Sequence, residues 1–213
     1  MKKSKAETAE TRRRIVEIAV REFRRNGIHA TGVSEIMAAA GLTHGGFYRH
    51  FSSKDQLVAE ACAASMESLV EKAEAAAEGG TEAFLNHIRD FLSAEYRDDR
   101  LGGCPLVALG SELARADEDT RRAASNGFRG LIDVTSDYFD SEEAKGDAIF
   151  TLSAMIGAVT MSRIIDDQSL SDQILEEAKK RLARLPSKVA GKRRTPTRKS
   201  LPTEQTADEP LGQ

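Results

Sequence analysis

The sequence predicts an all-α chain of about nine helices, with a basic three-helix head on an acidic helical body. Three observations carry that prediction. Apolar residues recur at three- and four-residue intervals along most of the chain, the spacing of a helical stripe, and the alternation of a half-buried strand is absent. Glycine and proline punctuate the stripes at Gly27, Gly41, Gly79-Gly80, Gly102-Gly103, Pro105 and Pro186. Charge also splits along the chain. Residues 1–50 carry ten basic side chains against five acidic, residues 186–213 six against three, and residues 51–185 a net of −11 within a total of −3. A basic end on an acidic body suits one face on a polyanion and another in water.

Composition bounds the remaining classes. With 213 residues, 40% hydrophobic and 31% charged, the chain has the balance of a soluble globular protein with a core of ordinary size. No uninterrupted apolar run approaches the ~18–20 residues of a membrane span. The start, Met1-Lys2-Lys3-Ser4-Lys5, is basic without the apolar stretch of a secretory signal, so a cytoplasmic location is expected and no membrane. Cys62 and Cys104 are too few for a disulfide framework. His29, His44, His50 and His87 lack metal-ligand spacing, and no nucleophile elbow, phosphate loop or paired carboxylates stand out. Catalysis, a metal and a cofactor are therefore not expected.

Residues 1–9 read as a disordered basic arm, either reaching phosphates or simply frayed. The first helix is expected from Glu10 to Asn26, burying Ile15, Ile18, Ala19 and Phe23 and leaving Arg12, Arg13 and Arg14 solvated. Thr31 stands where a side-chain oxygen can cap a second helix, whose face is Val33, Ile36, Met37 and Ala40. Gly41 ends it as a residue free to take positive φ. Thr43 then suits the cap of a third helix beginning near His44. Helix, glycine turn, helix is the helix-turn-helix pattern, and residues 10–54 form that unit.

The third helix carries Gly45-Gly46, which cost ~1 kcal/mol each relative to alanine in a helix. Either the backbone must approach a groove floor closely, or the helix start is merely weak. His44 and Arg49 are the long polar side chains able to reach base edges, arginine to guanine being the commonest such contact. Phe47 and Phe51 read as core.

These residues carry a resemblance. Thr43 followed by Phe47-Tyr48-x-His50-Phe51-x-x-Lys54, with Phe23-x-x-x-Gly27 and Thr31-x-Val33-x-x-Ile36 upstream, closely resembles the DNA-binding signature of TetR-family transcriptional regulators over roughly residues 10–60. The resemblance implies that Tyr48, His50 and Lys54 hold phosphates. With Thr31, Thr43, His44, Gly45, Gly46 and Arg49 they make the expected DNA-binding set. It also implies a homodimeric repressor on a palindromic double-stranded operator, released by an inducer whose effect reaches the head through the fourth helix.

The body, residues 55–185, continues in helices. The fourth is expected from Ser53 to Glu78, with Val58, Cys62, Met66, Leu69 and Ala73 near one face. A fifth carries Phe84, Leu85, Ile88, Phe91 and Leu92 to about Asp99. A sixth starts at Pro105, which suits the first helical position, and faces Leu106, Leu109 and Leu113 inward. A seventh uses Ala124, Phe128, Leu131, Ile132, Thr135 and Phe139. An apolar pocket for a small ligand is expected among these, with Phe84, Ile88, Phe91, Leu113, Phe128 and Ile132 as candidate walls. The eighth helix, Ser141 to Asp166, is apolar on more than one face; the ninth, Ser169 to Leu185, has a narrower stripe. Ile149, Leu152, Ile156, Ile174, Ala178 and Leu182 are the candidate dimer contacts, since the family dimerises through its last two long helices. The tail 186–213, rich in Pro, Thr, Ser and charge, reads as disordered.

Two signals remain open. Cys104 follows two glycines and precedes a helix start, where unpaired N–H groups favour thiolate. Together with Leu109-Gly110-Ser111-Glu112-Leu113 and Gly127-Phe128-Arg129-Gly130-Leu131 it resembles, more loosely, the electrophile- and oxidant-responsive (NemR-like) branch of the same family, where that cysteine is the sensor. The alternatives are a reversible small-molecule inducer, with Cys104 a packing residue, or an electrophilic one acting on Cys104. A competing class is a helical protein-binding module without operator-specific DNA binding.

Overall fold

The computed structural model describes residues 5–99 and 103–185. Its helices are α1 (Lys5–Asn26), α2 (Val33–Ala39), a 3-10 helix (His44–Arg49), α3 (Lys54–Glu78), α4 (Thr81–Phe91), α5 (Ala94–Asp98), α6 (Pro105–Leu113), α7 (Glu118–Ser136), α8 (Ala144–Ile164) and α9 (Gln168–Leu182). No strand occurs among the described residues.

In the head, Ile15, Ile18, Ala19 and Phe23 of α1 bury against Ile36 and Met37 of α2, Phe47, Phe51 and Leu57. Gly27 and Gly41 turn the chain after α1 and α2 with φ of +86° and +67°, a region where a β-carbon clashes. Helix α3 leaves the head and runs into the body, where α7 lies along it. A β-carbon on Gly127 would stand 2.2 Å from that of Met66, and one on Gly130 would stand 3.0 Å from Val70. The Gly127-x-x-Gly130 spacing therefore sets how closely α7 approaches α3. Helices α8 and α9 pack against one another, and α8 against α7.

Several boundaries differ from expectation, each for a local reason. Helix α1 begins at Lys5 rather than Glu10; the Thr11 hydroxyl donates back to the Glu7 carbonyl at 2.7 Å, within a turn expected to be disordered. Residues 1–4 and the tail 186–213 lie outside the described residues. Thr31 does not cap α2: Gly32 occupies the cap, and the Glu35 carboxylate reaches back to its N–H at 2.8 Å. The third helix is 3-10, consistent with two glycines in its first turn.

The expected fifth helix breaks after Leu92, because the Ser93 hydroxyl accepts the Tyr96 N–H at 3.1 Å and starts α5. Helix α8 begins at Ala144 rather than Ser141, whose hydroxyl bonds the Asp147 carboxylate at 2.6 Å. It ends at Ile164, and Asp167 then caps α9, which closes at Leu182.

By length and apolar composition α8 passes for a membrane span, although Lys145, Asp147 and Arg163 interrupt its sequence. In the fold, however, it packs on α5, α6, α7 and α9.

Candidate functional site

The head presents Thr43, His44, Gly45, Tyr48 and Arg49 outward from the 3-10 helix and its cap. Tyr48 is 67% exposed, whereas Phe47 beside it is buried and stacked on Phe51 at 5.4 Å between ring centroids. That pair anchors the element, so its polar side chains are held on rigid backbone. The Ser34 hydroxyl and His44 Nδ1 lie 3.0 Å apart, which ties the imidazole to α2. The Tyr48 ring stands edge-on to His44 at 6.2 Å.

Gly45 has no positive φ, and a β-carbon there would meet nothing within 4 Å. Nothing inside the subunit requires that glycine. A β-carbon on Gly46 would stand at ordinary contact, 3.5 Å, from the Met37 terminal methyl. Gly45, Tyr48 and Arg49 are all exposed.

Thr31 is fully buried, with its hydroxyl donating to the Gly27 carbonyl at 2.7 Å, so it fastens the α1–α2 loop and is not on the outer surface. The Lys54 ammonium donates to the Ile28 carbonyl at 2.6 Å and keeps further donors for another partner. Half-buried His50 accepts at its backbone carbonyl from Arg12 Nε at 3.2 Å.

Arg12 was expected to be solvated, yet it holds the head together. Its guanidinium pairs with Glu60 through both terminal nitrogens and lies over the Phe51 ring at 4.5 Å. Arg14 donates to the Ala40 carbonyl at 3.1 Å, at the end of α2. Sequence spacing marks both only as flanks of the α1 stripe; their partners lie 26 to 48 residues away.

The body encloses a cavity of about 310 Å³ between α3, α4, α5, α7 and α8. Of the six expected wall residues, Phe84, Ile88 and Phe91 line it. Leu113, Phe128 and Ile132 instead join the core that runs from head to body. Sequence reasoning missed Tyr96, Thr151 and Met155 on the wall. Tyr96 stacks on Phe91 at 4.4 Å. Burial, with Lys72 nearby, pushes the His87 imidazole below its ordinary proton affinity against the opposing pull of Asp90, so it stands neutral on the wall.

Cys104 also lines the cavity, 3% exposed, as the cap residue of α6. Burial pushes its thiol up and outweighs the N–H groups of Val107 and Leu106 and the charges of Arg163 and Arg24. The expectation of a lowered thiol at this helix start is thus overturned, because desolvation exceeds the helix-terminus effect. Cys62 is likewise pushed up to about 11 by burial and by Cys104.

Helix α6 meets the cavity at its start and the head at both of its ends. At its start the Cys104 N–H donates to the Tyr96 hydroxyl at 2.7 Å, and the Gly103 carbonyl accepts from Arg24 Nη1 at 2.9 Å. Gly103 has φ +96°, and a β-carbon there would stand 2.7 Å from the Tyr96 oxygen. At its end Glu112 accepts the His29 N–H at 3.0 Å and pairs with His29 Nδ1 at 2.9 Å.

Of the expected dimer contacts, Ile149 is exposed, Ile174 and Ala178 are half-buried, Ile156 lines the cavity, and Leu152 and Leu182 belong to the subunit's own core. Exposed Phe150, Met161 and Ile164 extend Ile149 into a stripe along α8, with Leu170 at the start of α9.

A helix-turn-helix head joined through the long α3 and the short α6 to a cavity-bearing helical body is the architecture of a DNA-binding transcriptional regulator. Comparison with known proteins agrees. Residues 15–61 match bacterial regulatory proteins of the tetR family, and residues 77–179 match the LmrA/YxaF-like transcriptional regulator C-terminal domain.

An uncharacterized HTH-type transcriptional regulator of Mycobacterium tuberculosis is 28% identical over 193 residues, covering 83% of this chain and 97% of that protein. The HTH-type transcriptional regulator AcrR of Shigella flexneri is 42% identical over 59 residues, a match spanning only 28% of this chain and 27% of AcrR. The reduced form of Escherichia coli NemR shares the fold with a TM-score of 0.72 at 22% identity, covering 85% of this chain and 100% of NemR. The chain belongs to the tetR family of bacterial regulatory proteins.

Proposed function

We propose that the protein is a cytoplasmic homodimeric repressor that binds a palindromic operator and leaves it when a small molecule occupies the body cavity. The observation that carries this reading is α6. It touches the cavity through Cys104 and Tyr96 and the head through Arg24 and Glu112. In the dimer each 3-10 helix enters a major groove on one face of the duplex. Tyr48, His50 and Lys54 hold phosphates and set register, while His44 and Arg49 read base edges beside the open backbone of Gly45. The apolar stripe of Ile149, Phe150, Met161 and Ile164 supports pairing of two subunits through α8, since exposed apolar patches mark interaction surfaces.

Release requires that the ligand bind the DNA-incompetent arrangement of heads better than the competent one; tight binding alone shifts nothing. The buried, raised thiol of Cys104 favours a reversible ligand over covalent chemistry as the signal.

The interface is tested by replacing Tyr48 and Arg49 with alanine and titrating operator DNA. Arg49→Ala should cost about 1–3 kcal/mol of base discrimination, and Tyr48→Ala should weaken all sequences alike. Undiminished affinity and selectivity in both variants would sink the interface. Electrophile-induced release that disappears in Cys104→Ser would instead favour the thiol reading.

A further inference from the structure

Thr151 stands apart from Thr160 and Ser162 of its helix, and from the exposed Ser153, which water can reach. On α8 the Thr160 hydroxyl donates to the Ile156 carbonyl at 2.7 Å, and the Ser162 hydroxyl to the Val159 carbonyl at 2.9 Å, so each is satisfied on its own backbone. Thr151 is 1% exposed, lines the cavity, and its hydroxyl has no hydrogen-bond partner among the described residues. A buried hydroxyl left unpaired is costly, and such an orphan calls for an explanation. Valine would fill the same space at no such cost, so the hydroxyl points to a partner that arrives from outside the chain.

The surrounding wall states what kind of partner fits. Phe84, Ile88, Leu152 and Met155 make it predominantly apolar, as small-molecule sites are. The charged lining is one of each sign, Lys72 and Asp99, and burial keeps His87 neutral, so the wall offers no net charge for an ion.

We propose that the cavity takes a neutral, largely apolar molecule carrying one hydrogen-bonding oxygen, a hydroxyl or carbonyl, which pairs with Thr151 Oγ1. The assignment rests on the reading of the cavity as the effector site and names the ligand class that site selects.

The test is a chemical double-mutant cycle on the full-length protein, using 2-naphthol and its isostere 2-methylnaphthalene as probes followed by their own fluorescence. The preference for 2-naphthol over 2-methylnaphthalene should be about tenfold greater in wild-type protein than in Thr151→Val, the worth of one hydrogen bond, because the cost of dehydrating the naphthol cancels in that ratio. Thr151→Val should melt no lower than wild type, and Thr151→Ser should keep the wild-type preference. An equal preference for 2-naphthol in wild type and Thr151→Val would overturn the role of Thr151 and leave the cavity reading standing. Failure of wild-type protein to bind either probe would overturn both.

Discussion

Arg24 Nη1, on α1 of the head, donates to the carbonyl of Gly103 at 2.9 Å, across 79 residues of sequence. Gly103 in turn lies against the Tyr96 hydroxyl, which accepts the N–H of Cys104 on the cavity wall. One guanidinium thus ties the head to the residues of the cavity wall. Replacing it with alanine should separate the two events. In Arg24→Ala, ligand affinity should stay within about twofold, since the side chain is absent from the cavity wall, while the ligand concentration needed to release operator DNA should rise about tenfold, the scale of a typical coupling energy. Unchanged release, measured by fluorescence anisotropy of labelled operator, would remove Arg24 from the coupling.

Gly45 allows fold and function to be separated by a single methyl group. Its β-carbon would meet nothing within 4 Å and its φ is not positive. Gly45→Ala should leave stability unchanged or raise it by up to ~1 kcal/mol, the propensity gain of alanine over glycine. If the backbone approaches the groove floor, the added methyl should reduce operator affinity at least about tenfold. Thermal melting and DNA titration of the same preparation check both halves.

Gly127 predicts the opposite pattern. A β-carbon there would stand 2.2 Å from Met66 Cβ, a backbone-proximal atom that cannot swing away, so α7 must move off α3. Gly127→Ala should cost about 1–3 kcal/mol, as overpacking of a core does. A denaturant midpoint equal to wild type would show that the two helices are not held this closely in solution.

His87 gives a pH dependence with a definite sign. Burial, aided by Lys72 and opposed by Asp90, lowers its pKa in the fold below the ordinary 6.5. The unfolded chain therefore takes up the proton first, and stability rises with pH across that interval. The contribution is complete above about pH 6.5 and is lost as pH falls from there through the folded value. Between pH 7.5 and pH 5.5, wild-type protein should lose more melting temperature than His87→Gln. Equal losses would show that His87 is solvated.

The head was largely legible in sequence because its determinants are local. The stripe Ile15, Ile18, Ala19, Phe23 and the pair Phe47 and Phe51 are buried where periodicity and spacing put them. What stayed hidden depends on contacts between distant segments. The polar spacing of Arg12 does not reveal Glu60, 48 residues on, and Thr31 has a good capping position but a better hydrogen bond to Gly27.

In the body, Phe84, Ile88 and Phe91 share one helix and reach the cavity together, whereas Leu113 on α6 and Phe128 and Ile132 on α7 are drawn into the core shared with α1 and α3, a choice of neighbour that periodicity along one helix does not reveal. Cys104 shows the same limit in chemistry. Its place at a helix start is readable, but the burial that raises its thiol is a property of the assembled fold.

The most direct test of the account is selection of bound sequences from random duplex DNA by the full-length protein at moderate salt. The predicted result is enrichment of a palindrome, with affinity for it reduced by Tyr48→Ala and falling steeply as salt rises. Folded, dimeric protein that enriches no sequence would contradict the operator reading and favour a head that binds another protein.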